Sequence, residues 1–295
     1  MLSALAVERQ QTGRHFFVSA SGGHLRQRSG SRIDLDSISL MAGVSGGTRL
    51  AAGRLTMGIF AEYGRGDYET DNRFGAADQA LSLSGARHVR GRGESHYTGG
   101  GALARYAADA GYYAETSLHA GRLETRFSSA DLRDYQGRQA RYDLATPYYG
   151  AHVGAGRFLS LEEGQLDIYG KYFWMRQQGE RVTLSTGDDL RFDRSQSERL
   201  RVGLRLNPSL ASVWKSYVGL AYEHEANGRA KAVTRTQSRA YAIDAPRLKG
   251  NSALFEIGLS ARQGKGSPLS FDLGLQGYTG DRKGVIGSLH ANWVF

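Results

Sequence analysis

The chain has 295 residues (32.2 kDa), with no Cys, 4 Pro, 40 Gly and 16 Tyr, a formal charge of +9 and a mean hydropathy of -0.46. The lack of Cys excludes a disulfide scaffold and a Cys-type zinc site, and no apolar run approaches the roughly 18 to 20 residues that a spanning helix needs. Gly stands at about twice its usual level of roughly 7%, too dispersed for collagen and too well mixed with Tyr, Leu and Val for a flexible linker. The positive charge admits nucleic acid as a partner. However, the Arg residues are scattered beside Asp or Glu, as in Glu198-Arg199-Leu200-Arg201, so no nucleic acid is expected. Met1–Val7 is too short for a secretory signal and has no basic start. The expectation is therefore either a cytosolic protein or one domain of a longer exported chain.

From residue 15 onward the sequence alternates with period 2, and twelve strands are expected at 15–22, 37–46, 53–64, 95–107, 111–123, 146–160, 165–178, 198–209, 214–224, 250–261, 268–279 and 284–295. In the second, Ile38, Leu40, Ala42 and Val44 alternate with Ser37, Ser39, Met41 and Gly43. In the third, Leu55, Met57, Ile59, Ala61 and Tyr63 alternate with Thr56, Gly58, Phe60 and Glu62. The last two form a long hairpin: Leu269, Phe271, Leu273 and Leu275, then a Gly-bracketed turn, then Val285, Leu289, Ala291, Trp293 and Phe295 on one face.

Most of these segments exceed the ordinary strand of about 5 to 6 residues and match the roughly 9 to 11 of a tilted bilayer-spanning strand. Long and short connections alternate along the chain, which is the asymmetry of a transmembrane barrel with loops outside and turns inside. A sandwich would bury the face that carries Glu62, Glu115, Asp167, Lys171, Arg201, Arg205, Glu223, Glu256 and Asp272, at several kcal/mol per unpaired charge. A wet lumen accommodates them. The expected fold is an all-β, antiparallel, up-and-down transmembrane β-barrel of twelve strands. Tyr63, Tyr97, Tyr106, Tyr112, Tyr148, Tyr172, Trp174, Trp214, Tyr217, Tyr222, Tyr278 and Trp293 fall near strand ends, where interfacial girdles are expected.

The end of the chain, Gly277-Tyr278-Thr279-Gly280-Asp281-Arg282-Lys283-Gly284 running on to Trp293-Val294-Phe295, resembles the translocator β-domain of autotransporters, the type V secretion proteins of Gram-negative bacteria. That family carries a Gly-Tyr-x-Gly-x-x-x-Gly turn in its last hairpin. Its terminal aromatic is the recognition signal for the outer-membrane insertion machinery, a role the resemblance assigns to Trp293 and Phe295. It further implies a helix before the first strand, in or near the pore, for which Leu2, Leu5, Ala6 and Arg9 are spaced and Gly13 is a stop. Residues 1–14 are then the end of a linker or plug helix and 15–295 the barrel. A passenger ahead of residue 1 is implied as well. Asn-Asn self-cleavage, used by one subgroup, does not carry over, because no Asn precedes Asn72.

Catalytic chemistry finds little support. Asp188-Asp189 and His224-Glu225 lack the Asp-His couple of an omptin-like protease, and Ser288 and His290 face the lumen rather than the lipid a phospholipase would need. Arg65-Gly66-Asp67, Gly91-Arg92-Gly93 and Gly264-Lys265-Gly266 are expected in loops or turns. No enzyme activity, cofactor or metal is expected. The lumen charges are expected to pair across the wall, Asp167 and Lys171 against Arg201 and Arg205, and to grip the plug helix. Expected partners are the insertion machinery, the passenger, lipid and lipopolysaccharide, in the bacterial outer membrane with surface loops outside and the C-terminus in the periplasm. The alternative is a self-standing porin or adhesin barrel.

Overall fold

Inside a bilayer no water is present to satisfy the edge of a sheet, so strands with one apolar face persist there only if the sheet closes on itself. A computed structural model of the chain, which describes residues 13–28, 32–73, 88–134, 136–209, 214–228, 232–236, 239–243, 249–262 and 268–295, has that closure. Its strands in chain order are β1 (Arg14–Arg28), β2 (Arg32–Leu50), β3 (Gly53–Arg73), β4 (His88–Ala108), β5 (Tyr112–Arg133), β6 (Gln139–Leu161), β7 (Gly164–Gln177), β8 (Glu180–Thr183), β9 (Asp189–Phe192), β10 (Ser195–Pro208), β11 (Trp214–Glu225), β12 (Ala232–Thr236), β13 (Arg239–Ile243), β14 (Gly250–Arg262), β15 (Leu269–Gly280) and β16 (Arg282–Val294). Twelve of them form one closed antiparallel barrel in chain order, and β16 returns to β1 along an unbroken register from His15↔Val294 to Gln27↔Arg282.

The glycine motif acts at this seam. Gly280 turns the last hairpin at φ +118° and Gly284 enters β16 at φ +141°, both in the left-handed half of the map that a Cβ disfavours. A Cβ on Gly284 would also strike the His24 carbonyl of β1, so the closing strand needs glycine there for space as well.

The barrel is inside-out relative to a soluble protein. Large apolar side chains such as Leu204, Leu220, Phe255, Ile257, Leu273 and Leu289 are exposed, and the buried positions include Glu62, Glu115, Asp167, Glu223, Glu256 and Asp272. On β14 the outward residues stay apolar from Ala253 to Ala261. At about 3.3 Å per residue and a tilt near 40° that band is about 20 Å tall, close to the roughly 25 Å of outer-membrane barrels. On β11 its two ends pair with Tyr222 and Trp214, so aromatic rings bracket the band. Tyr63, Tyr112, Tyr172 and Trp293 are likewise exposed. Tyr97, Tyr148, Tyr217 and Tyr278, which the strand-end pattern assigns to the girdle, turn into the lumen, because they fall on the other parity of their strands.

Several strands run well beyond their expected ends. Arg65-Gly66-Asp67 lies inside β3 and Gly91-Arg92-Gly93 inside β4, and neither forms a turn. Above the band, β3 to β6 carry charges outward, paired as Arg65–Glu94 at 3.4 Å, His96–Glu124 at 3.0 Å and Arg126–Asp143 at 3.6 Å. Cross-strand ion pairs thus replace the apolar alternation that marks a strand in sequence. Two expected long loops instead fold into the hairpins β8–β9 and β12–β13, joined as one four-stranded sheet in the order β13-β12-β9-β8. This sheet is fastened to β6, where Ser185 N donates to Arg141 O at 3.0 Å and Ser185 Oγ to Gln139 O at 2.7 Å. Phe192 rests on Tyr142, which stacks on Phe127. The expected helix at 1–11 and the Gly264-Lys265-Gly266 turn lie outside the described residues.

An Arg at Leu220, outward and midway along β11, is expected to destabilise the barrel by about 2 to 4 kcal/mol, read from urea unfolding in phospholipid vesicles. The same change at Glu69, above the band, should leave the midpoint nearly unchanged.

Candidate functional site in the lumen

Strand parity places every second side chain inside the barrel, and the nine charged positions singled out in the sequence all project there. Glu62 comes from β3, Glu115 from β5, Asp167 and Lys171 from β7, Arg201 and Arg205 from β10, Glu223 from β11, Glu256 from β14 and Asp272 from β15. None of the six carboxylates is more than 5% exposed, so each needs a donor to remain charged in the folded barrel.

For Glu115, Glu223 and Glu256 the donors come from two clusters of cations. In the first, Glu115 is held between the Lys171 ammonium at 2.8 Å and the Arg105 guanidinium at 2.9 Å, with His152 Nε2 at 3.6 Å. In the second, Arg201 donates from Nη2 and Nε to Glu223 Oε2 at 2.7 and 3.0 Å, and Arg282 donates to Glu223 Oε1 at 2.9 Å. Beside it, Arg205 donates to Glu256 at 2.7 Å, and Arg201 lies 3.9 Å from the other Glu256 oxygen. Arg guanidinium planes also lie over rings, Arg105 over Tyr113 at 4.3 Å and Arg205 over Tyr217 at 4.5 Å.

The pairing expected between β7 and β10 does not form. Asp167 and Lys171 are indeed in register with Arg205 and Arg201. Asp167 instead accepts from Tyr113 Oη at 3.0 Å, and Lys171 reaches back across β6 to Glu115. The reason is the glycines between them. A side chain can lie flat along the wall only where the intervening strand has none, and Gly154 leaves that gap between Glu115 and Lys171, as Gly156 does between Tyr113 and Asp167.

Two longer spans repeat the device over three strands. Tyr148 of β6 crosses Gly121 and Gly99 to donate to Glu62 Oε1 at 2.7 Å, where His119 Nδ1 also lies at 2.7 Å. Tyr169 of β7 crosses Gly203, and Glu256 of β14 lies over Gly219, so the phenol and the carboxylate meet at 3.4 Å. Asp272 takes Ser260 Oγ at 2.8 Å.

Sequence reasoning passed over Arg105, Tyr113, His119, His152, Tyr169 and Arg282 and assigned Tyr148 to the girdle, though these residues complete the clusters. The parity of most of them was legible, since each alternates with the apolar face of its strand, but their partners lie one to three strands away. Trp293, the other kind of site residue, faces outward on β16. Phe295 is exposed, with its N–H donating to Arg14 O at 3.0 Å. Among the described residues no group of three or more His, Asp or Glu could hold a metal ion. The lumen thus presents groups of both signs, with Glu115, Glu223 and Glu256 ion-paired along the wall.

Comparison with known proteins gives this architecture a context. The family model described as the autotransporter β-domain matches residues 16–274. The pertactin autotransporter of Bordetella bronchiseptica is 26% identical over 250 residues, which cover 83% of this chain. The aligned region is 25% of that protein, so the chain spans about a quarter of the length of the curated relatives it matches. Among solved structures, the β-domain of the Bordetella autotransporter BrkA has a TM-score of 0.71 at 17% identity, covering 96% of this chain and all of that one. The translocator domain of autotransporter NalP from Neisseria meningitidis has a TM-score of 0.73 at 12% identity, covering 99% and 92%. At such identities the two structures speak for the fold.

Glu115→Gln strands Lys171 and Arg105 opposite a neutral amide and should cost about 3 kcal/mol in unfolding free energy. Adding Lys171→Met to that variant should restore more than half of the loss. Additive losses would show that the two groups do not interact.

Proposed function

The chain belongs to the autotransporter β-domain family, and from that premise we propose that its barrel anchors a passenger joined ahead of residue 1 and provides that passenger's route to the cell surface. The domain is an autotransporter translocator, an outer-membrane β-barrel of twelve strands. The observation that carries the proposal is the lumen. Glu115, Glu223 and Glu256 are paired with Arg and Lys side chains of the wall, so a transiting polypeptide meets a polar surface of both signs rather than a single-sign filter. A porin or adhesin barrel standing alone is disfavoured by the family match.

Within this proposal, residues 1–14 form the end of the linker that enters the lumen, and 15–295 the barrel. Glu62, Glu115, Asp167, Lys171, Arg201, Arg205, Glu223, Glu256 and Asp272 stiffen the wall and contact that linker. The outward-facing Trp293 and Phe295 serve as the assembly signal read by the insertion machinery. The open strand ends at Arg14 and Phe295 lie in the periplasm, and the β8, β9, β12 and β13 sheet stands outside the cell, near lipopolysaccharide. The module is a conduit without catalysis of its own, and export needs no cofactor or nucleotide.

A reporter domain fused ahead of Met1 behind a secretory signal is expected to become digestible by protease added to intact cells. A correctly inserted barrel whose reporter stays protected in the periplasm would overturn the translocator proposal. Removing Phe295 should lower the amount of folded, heat-modifiable barrel in the outer membrane severalfold while leaving periplasmic precursor; an undiminished yield would remove the assembly-signal role.

A further inference from the structure

The lipid-facing wall is not uniform. Over β10, β11, β14 and β15 it is filled by Leu200, Leu204, Leu220, Phe255, Ile257 and Leu273, all exposed. Over β1 to β5 it is indented by a groove of about 910 Å³ whose lining is predominantly apolar. The register explains the indentation. Arg14, Gly46, Met57, Ala104 and Thr116 are successive register partners across five strands and so form one outward row. The next row carries Val44, Ile59, Ala102 and Leu118. The small residues Gly46, Ala102, Ala104 and Thr116 make a floor, and the exposed side chains of Met57, Ile59 and Leu118 stand up around it.

The direction of this groove identifies its occupant. Strands tilted by roughly 35 to 45° carry their hydrogen-bonded rows obliquely across the bilayer. The row starts at Arg14, the first residue of β1 on the rim where the short turns lie. It ends at Thr116, two repeats of the pleat into β5 beyond Tyr112 at that strand's start. Four inter-strand steps of about 4.8 Å give it a length of about 19 Å, the reach of one long acyl chain. At its rim end the exposed Arg14 guanidinium is free of ion pairs among the described residues. It sits where headgroup phosphates lie, and a guanidinium fork matches a phosphate bidentately.

We propose that this groove is a binding site for a glycerophospholipid of the periplasmic leaflet, with one acyl chain laid over Ala102, Ala104 and Thr116 and the phosphate on Arg14. The proposal rests on the reading that the apolar wall faces the bilayer with Arg14 at its inner edge. It goes beyond that reading in naming one retained lipid at one place, where annular lipid would exchange freely over the whole wall. A second barrel seated on the same strip is the competing occupant. It is disfavoured because it would have to bury the Arg14 guanidinium in an apolar interface.

The test is native mass spectrometry of the folded barrel. The protein is reconstituted with palmitoyl-oleoyl-phosphatidylglycerol, moved into a delipidating detergent and analysed beside Arg14→Gln, Ala104→Phe and Leu273→Ala. Wild type and Leu273→Ala should retain a single lipid. Arg14→Gln should lose retention about tenfold, the loss of one charge-assisted hydrogen-bonded contact, and Ala104→Phe should abolish it. Equal retention in all four, or none in wild type, overturns the site. A paired-barrel mass that Ala104→Phe removes would assign the strip to a second copy and also overturn it. If Ala104→Phe fails to show the heat-modifiable mobility of a folded barrel, Arg14→Gln carries the test alone. Quenching of Trp214 and Trp293 by brominated chains checks the membrane reading separately: quenching without retention removes only the groove proposal, whereas no quenching removes the reading beneath it.

Discussion

Closure of the sheet is the constraint on which everything else in this protein depends. In hydrocarbon each unpaired backbone N–H or C=O costs several kcal/mol, so β16 must find β1 along its whole length, from Val294 to Arg282. The turn glycines act at this seam. Gly280 reverses the chain and Gly284 lets β16 approach the β1 backbone without a Cβ in the way. Closure also fixes which residues meet water. With the outside given over to apolar side chains, every charge on the strands within the band is directed inward, and the lumen has to satisfy them.

That requirement accounts for the arrangement of the clusters. A buried carboxylate in the lumen is tolerable only when donors reach it, and adjacent strands alone do not supply all of them. Glycine on the strands between opens shallow channels along the wall. Tyr148 and Tyr169 lie in these channels and extend to Glu62 and Glu256. The abundant glycine and tyrosine of the composition are therefore two halves of one device, a long polar ring resting on a residue with no side chain. The wall gains thickness and rigidity from this, and the ions of the lumen are drawn to its surface rather than left in its middle.

Outside the barrel the same logic of small and large residues has a different result. Small side chains facing inward are overlaid by rings from neighbouring strands. Small side chains facing outward on β4 and β5 have no such cover, and the register aligns them with Gly46 and Arg14 into a trough open to the bilayer. The wall is thus smooth and filled over β10 to β15 and indented over β1 to β5, so the two sides of the barrel offer lipid different surfaces.

Much of the fold was legible from the sequence because it is written in local terms. The period of 2 depends only on neighbouring residues, and so do the sidedness of Glu62, Asp167 or Arg205 and the need for glycine at 280 and 284. Twelve long strands with alternating connections imply a barrel before any contact is known. Strand ends were less legible, because above the bilayer the outward face of β3 to β6 is charged and its alternation no longer looks like burial. The hairpins β8–β9 and β12–β13 were missed for a related reason, being short segments stabilised by pairing with each other and by Tyr142 rather than by their own pattern. What only the tertiary structure decided is who meets whom: Lys171 with Glu115 and not Asp167, Tyr148 with Glu62, Arg14 in line with Thr116. Those relations run perpendicular to the chain, across strands set side by side by register and tilt, and a sequence records the order along a strand without recording what lies beside it.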